Sequence, residues 1–263
     1  MEITTSGDIP SPRFRFGYTD AVHNGTRYFF VFSGVTDFEK SKELFALNLE
    51  TWVWKKLPRQ GEAPNPKISP TLDYYEGFLY LVGGDARLSK YPRISDFYRY
   101  DLANSRWENI TSSKTYTHRY LHGTCIYQDY LYLFYGWSNL VNYNIDLIQR
   151  VDLKSSAYEW EDVSVNRKED YHKILRSAYG YSCFEGKFHM VGGYSSESLR
   201  NSVVEFDLNK DPLEYRVLAD EYTGPLSRAE HSLAVINKNF YMFGRMINQE
   251  ILEDFWKFQE DLD

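Results

Sequence analysis

Long apolar runs are missing from this 263-residue chain. No stretch approaches the roughly 20 residues needed to cross a bilayer, which argues against membrane insertion. The N-terminus, MEITTSGDIP, has no charged start followed by an apolar core, so no secretory signal is expected. Lys/Arg runs and basic amphipathic segments are also lacking. The formal net charge of −7 argues against a general nucleic-acid binder, whose affinity comes mostly from neutralising phosphates. No Gly-rich phosphate loop, nucleophile elbow or His-Glu-x-x-His stands anywhere in the chain, so the usual routes to nucleotide, acyl-transfer and zinc-hydrolase chemistry are closed. Cysteine is scarce, with Cys125 and Cys183 alone.

Aromatic residues, by contrast, are abundant, with 23 Tyr and 17 Phe, and they recur in register. An apolar run ends in Gly five times: FVFSG at Gly34, LYLVGG at Gly84, LYLFYG at Gly136, FHMVGG at Gly193 and FYMFG at Gly244, with spacings of 50, 52, 57 and 51 residues. A second marker keeps the same phase. Three positions after a basic residue stand Phe16, Pro70, His122, Tyr179 and His231. Further on come LFALN at Asn48, FYRYD at Asp101, IQRVD at Asp152, VVEFD at Asp207 and FWKFQ at Gln259, then Trp54, Trp107, Trp160 and, in the fourth unit, Tyr215. A period near 50 signals an array or a propeller. Segments such as Leu79 to Val82 are short, aromatic or β-branched and bounded by Gly or Asp, which predicts strands.

The double Gly after an apolar strand, the Tyr-Asp pair and the Trp a turn later resemble the kelch repeat over essentially the whole chain. The resemblance implies an all-β kelch-type β-propeller of five four-stranded blades. Ser33 and Tyr135 at the first Gly position, Arg245 at the second and Tyr215 for Trp depart from the pattern. A single domain over 1–263 is expected, with repeats at about 12–57, 64–110, 118–163, 176–218 and 228–258.

The linker GDIPSPR from Gly7 matches GEAPNPK from Gly61, so residues 2–6 are expected to form a fourth strand that closes the last blade. The pairing would hide two sheet edges. The position of the missing first Trp, just before Met1, suits a domain that belongs to a larger chain or assembly.

Cys125 and Cys183 fall at matching positions of the first strands of blades three and four. The expectation is that these strands lie farther apart than the Cα limit of about 7 Å for a disulfide, leaving two buried free thiols and a reducing, cytoplasmic setting. The triplets NGT at Asn24 and NIT at Asn109 point the other way. His122 and His231 occupy the recurring repeat position, and His118 precedes His122 by four residues across a loop and a strand, where that spacing does not place two imidazoles on one metal. No metal site, cofactor or catalytic residue is expected.

Function is then expected on the surface. Five segments between second and third strands read as long loops, Val35 to Glu43, Asp85 to Ser95, Trp137 to Asp146, Tyr194 to Ser202 and Arg245 to Glu253, and they hold Arg87, Tyr91, Arg93, Trp137, Tyr143, Tyr194, Arg200 and Arg245. Arg and large aromatics dominate protein-binding hot spots, and an Arg-rich face on an acidic chain suits an acidic peptide. Arg119, Arg176 and Arg228 recur in register and are expected instead to bind backbone carbonyls between blades. The expectation is a non-catalytic module that binds a partner protein or acidic peptide, as scaffold or substrate adaptor. The alternative is an enzyme or small-ligand or metal propeller with its site at an axial channel, near His118 or His231.

Overall fold

A computed structural model describes residues 3–37, 39–85, 95–169, 171–196, 198–219, 224–247 and 250–259. The fold class is an all-β propeller with five blades. The chain forms two compact units, Met1–Tyr120 with Ser155–Glu159, and Leu121–Lys154 with Trp160–Asp263.

The first unit holds blades 1 and 2. Blade 1 is an antiparallel sheet of Gly17–His23, Thr26–Phe32, Leu44–Asn48 and Val53–Lys56, and blade 2 repeats it with Thr71–Tyr75, Phe78–Val82, Tyr98–Asp101 and Arg106–Asn109. The period-2 alternation sends Phe30, Phe32 and Ala46 to one face of blade 1, where they meet Leu72, Leu79, Leu81 and Trp107 of blade 2 in one buried cluster. The rings of Phe32 and Trp107 lie 5.0 Å apart in that cluster.

The second unit holds blades 3, 4 and 5. Blade 3 comprises Gly123–Tyr127, Tyr130–Phe134, Ile148–Asp152 and Trp160–Val163, and blade 4 Gly180–Phe184, Lys187–Tyr194, Leu199–Asp207 and Glu214–Ala219. Blade 5 comprises Ser232–Ile236, Asn239–Ile247 and Glu250–Gln259. Phe134 of blade 3 stacks on Phe188 of blade 4 with centroids 3.8 Å apart, the closest ring pair in a cluster that also buries Tyr135, Met190 and Phe206.

Two expectations about strands are corrected. The N-terminal segment does not complete the last blade: Ser6–Gly7 pairs in parallel with Val53–Trp54 of blade 1, and Ile3 to Thr5 are not strand. Among the described residues the fifth blade therefore has three strands. The linker match was sound, since Gln60–Gly61 pairs in the same parallel way with Arg106–Trp107. Both glycines take positive φ, +84° and +75°, and a Cβ on either would lie 2.2 Å from the Trp54 or Trp107 carbonyl oxygen. The shared sequence encodes a tight return against the outer strand of blade 1 or 2.

The second correction concerns loops. The segments Tyr194 to Ser202 and Arg245 to Glu253 are mostly strand, because blades 4 and 5 continue their central hairpin past the Gly through a bulge, between Val191 and Gly193 and between Phe243 and Arg245. Extra twist from a bulge lets pairing resume on the far side.

Candidate functional site

The recurring basic residues turn out to be structural. Gly34 N–H donates to the carbonyl of Lys67, Gly84 to Arg119, Gly136 to Arg176 and Gly193 to Arg228, at 3.3, 3.0, 3.3 and 2.8 Å. Each link joins the Gly of one blade to the residue that opens the next. The side chains close the same turns: Arg13 Nη1 donates to Ser33 O at 3.1 Å, Arg176 Nη1 to Gly192 O at 2.9 Å and Arg228 Nη1 to Gly244 O at 3.3 Å. Arg119, Arg176 and Arg228 are buried, and so is Lys67, whose ammonium is destabilised by burial and partly restored by Asp96 and Asp85. These arginines do bind backbone carbonyls, but the carbonyls lie within or just before the arginine's own blade and not between blades: Gly192 and Ser202 for Arg176, Leu226 and Gly244 for Arg228, and Thr117 for Arg119.

The first Gly position shows how repeats tolerate substitution. Ser33 and Tyr135 both take positive φ, 63° and 41°. Ser33 Oγ donates to Ser41 O at 2.7 Å and lies 2.8 Å from both Lys67 N and Lys67 O. Tyr135 donates its hydroxyl to Tyr171 at 3.1 Å inside the core.

Of the residues expected to bind a partner, Arg87, Tyr91 and Arg93 lie outside the described residues. Arg245 sits in the Asn239–Ile247 strand opposite Leu252, and only its backbone is described. The remaining four lie on blades 3 and 4. Trp137–Ser138 and Tyr143–Asn144 form a small hairpin that stands off blade 3. Trp137 is half-buried at its base, whereas Tyr143 is 54% exposed near the tip. Asn144 Nδ2 donates to the carbonyl of Tyr194 at 3.4 Å, which ties the hairpin to blade 4, where the Tyr194 side chain is 45% exposed. Arg200 pairs across the strand with Gly193, and its Nε donates to Ser195 Oγ at 3.3 Å.

Sequence reasoning missed Leu140 and Val141, which cap the hairpin, Leu140 at 64% exposure. Their signal was present: an apolar pair inside the polar run SNLVNYN, with no strand pattern around it. Leu140, Val141 and Tyr143 are thus exposed together on one hairpin, and Tyr194 is exposed on the blade 4 hairpin that Asn144 contacts and that pairs with the Arg200 strand. Isolated exposed hydrophobics are ordinary, but a cluster on ordered turns is what partner proteins bury.

His118, His122, His189 and His231 are all buried. Burial, with Arg228 alongside, pushes His231 down to about 4, and burial lowers His118 as well. His189 Nε2 lies 3.0 Å from Glu205 Oε2, and Arg216 Nε donates to Glu205 Oε1 at 2.8 Å. Burial alone would raise the Glu205 carboxyl, but hydrogen bonds from His189 and Arg216 outweigh it and hold it at about 2. Among the described residues no three of His, Cys, Asp and Glu are grouped to hold a metal.

The cysteine expectation is overturned. Cys125 and Cys183 are joined in a disulfide, with Cα atoms 5.7 Å apart. The first strands of blades 3 and 4 come close because Gly123 puts no side chain between them: a Cβ there would sit 2.9 Å from the Tyr181 ring. With both thiols paired, the argument for a reducing compartment no longer stands. Among the described residues, no helix is long and apolar enough to cross a membrane.

Comparison with known proteins follows the same repeats. Residues 1–174 match the KLHDC2/KLHL20/DRC7 Kelch-repeats domain. The chain is 24% identical to human host cell factor 2, over 95% of this chain and 36% of that protein. It is 29% identical to rat tRNA wybutosine-synthesizing protein 4, over 58% of this chain and 23% of that one. It is 32% identical to human host cell factor 1, over 36% of this chain and 5% of that protein. The chain thus spans about a third or less of the length of these relatives. A five-times repeated strand–Gly–strand unit, four Gly-to-basic-residue links and a domain match to residues 1–174 converge on one assignment: the chain belongs to the kelch-repeat family.

Proposed function

We propose that this chain is a non-catalytic protein-interaction module that holds a partner protein or acidic peptide, as a scaffold or substrate adaptor. The observation that carries the reading is the exposure of Leu140, Val141 and Tyr143 on a hairpin tied by the Asn144-to-Tyr194 hydrogen bond to blade 4, where Tyr194 is also exposed and Arg200 pairs with Gly193. Tyr supplies a large contact area with few rotatable bonds, so ordering it on binding costs little entropy. Arg200, with Arg87 and Arg93, would supply charge-assisted pairing to carboxylates. Burial of His118, His122 and His231 supports a structural use of the histidines over a catalytic one.

The reading is tested by replacing Arg87, Arg93 and Arg200 together with Ala. Capture of the partner should be lost while the thermal transition stays unchanged. Undiminished capture would remove the arginines from the binding surface.

A further inference from the structure

The basic residue that opens a blade is an arginine in blades 1, 3, 4 and 5, and each makes the same local bond. Its Nε donates to the carbonyl two residues earlier: Arg13 to Ser11 at 3.1 Å, Arg119 to Thr117 at 2.9 Å, Arg176 to Ile174 at 3.1 Å and Arg228 to Leu226 at 3.0 Å. Of these four carbonyl donors, Ser11 alone brings an exposed hydroxyl; Thr117 is partly buried, and Ile174 and Leu226 have none. Ser11 lies in a segment, 9–13, that is neither strand nor helix. The matching place in the next linker, GEAPNPK, is Asn65.

Arg13 is held from two sides. Nη1 donates to the Ser33 carbonyl at 3.1 Å and to Ser41 Oγ at 3.0 Å, and the guanidinium lies over the Phe45 ring, 5.0 Å from its centroid. Nη2 reaches Ser11 Oγ at 3.3 Å. Ser11 and Ser41 also line a cavity of about 270 Å³, together with Thr36, Lys42, Glu39 and Glu43. Of its two carboxylates, Glu43 is paired with Lys56.

We propose that Ser11 is a phosphorylation site for a proline-directed Ser/Thr protein kinase, and that Arg13 and Lys42 receive the phosphate. Pro12 follows directly and biases Ser11 to extended backbone, the form in which kinases take their substrates. The γ-phosphoryl of ATP passes to Ser11 Oγ: the Oγ–P bond forms as the bond to ADP breaks, and the hydroxyl proton goes to the kinase's catalytic carboxylate. The product adds about −1.5 to −2 of charge and three acceptor oxygens beside Nη2. Since Nη1 holds Ser33 and Ser41, the phosphate adds to those bonds without displacing them, and it fastens the 9–13 linker to the 35–43 loop of blade 1. The chain's other Ser-Pro pair, Ser69-Pro70, supplies a contrast: Ser69 has a φ of +52° and its Oγ is buried.

Incubation of the folded chain with magnesium-ATP and a kinase of the mitogen-activated class tests the site. One phosphate should appear by intact mass and map to Ser11, and Ser11→Ala should take up none. No phosphate at Ser11, or uptake at Ser69 in its place, would overturn the site. Phosphoserine installed at position 11 during synthesis tests the receiving cations separately. Its phosphorus NMR signal should titrate at lower pH than in a free peptide spanning residues 8–14, and the thermal transition should rise by about 2 °C at low salt and fall back at high salt. Lys42 is exposed, so Lys42→Ala should keep the fold and shrink that rise. Titration as in the free peptide, or a transition that does not rise, would overturn the role of Arg13 and Lys42.

Discussion

Arg228 grips Asp254 with both ends of its guanidinium, Nη1 to Oδ1 at 2.6 Å and Nη2 to Oδ2 at 2.7 Å, while Nη1 also reaches the Gly244 carbonyl. The arginine is buried, and the carboxylate is half-exposed. Its hydrogen bond to Arg228 holds Asp254 down at about 2, and a further one from Trp256 helps. Asp254→Asn should therefore leave a buried cation short of its counter-charge. Solvent at the carboxylate screens the pair, so the expected loss is about 1–2 kcal/mol, measured by chemical denaturation at neutral pH. Because the folded pKa is depressed, this contribution is present above about 4 and is lost as pH falls through about 2. The variant should show a flatter stability profile across that window.

His231 gives a second pH signature. Burial and Arg228 hold it at about 4, below its ordinary value near 6.5, so between those values the unfolded chain binds the proton that the folded chain refuses. Stability is complete above about 6.5 and falls as pH drops towards 4, by up to about 3 kcal/mol at order-of-magnitude level. Thermal unfolding of His231→Gln should lose that slope. An unchanged slope would assign it to other groups.

Ser33 tests the inter-blade links. Its hydroxyl lies within hydrogen-bond distance of both the N–H and the carbonyl of Lys67 in the following blade. Ser33→Ala removes that bridge and leaves a buried donor unpaired while keeping the left-handed backbone, at an expected cost of about 1–3 kcal/mol. Ser33→Gly relieves the backbone and should cost less than Ala. Equal losses would mean that the hydroxyl matters and the backbone conformation does not.

The Cys125–Cys183 bond closes a separation of 58 residues, for which loop-closure entropy corresponds to about 4 kcal/mol. Peptide mapping without reductant should recover the cross-linked pair. Cys125→Ser with Cys183→Ser should lower the thermal transition, and reductant should lower it in the intact chain but not in the double variant.

The repeat register was legible because two markers, the Gly after an apolar run and the residue following a basic one, are each demanded by the same turn. The Gly84-to-Arg119 link shows both ends of that demand. The fate of residues 2–6 was not legible. The match between Gly7 and Gly61 was visible, but whether the strand before Gly7 pairs with blade 1 or blade 5 depends on long-range contacts that local sequence does not carry. The disulfide was missed for a similar reason: the close approach of the first strands of blades 3 and 4 comes from the contact of Gly123 with the Tyr181 ring, which the recurrence of glycine at Gly17, Gly123 and Gly180 does not by itself reveal. On the candidate site, Tyr143 and Tyr194 were found from residue type alone. Leu140 and Val141 were missed because the selection went by Arg and large aromatics, and aliphatic loop residues fall outside it.

The measurement that bears most directly on the binding role is quantitative affinity capture from lysate, comparing the intact chain with Tyr143→Ala/Tyr194→Ala. Both side chains are exposed, so the thermal transition should stay within about 0.5 kcal/mol of the intact chain's stability. The account predicts a protein recovered with the intact chain and depleted at least tenfold with the variant, the equivalent of about 1.4 kcal/mol. Equal recovery by both forms would contradict it.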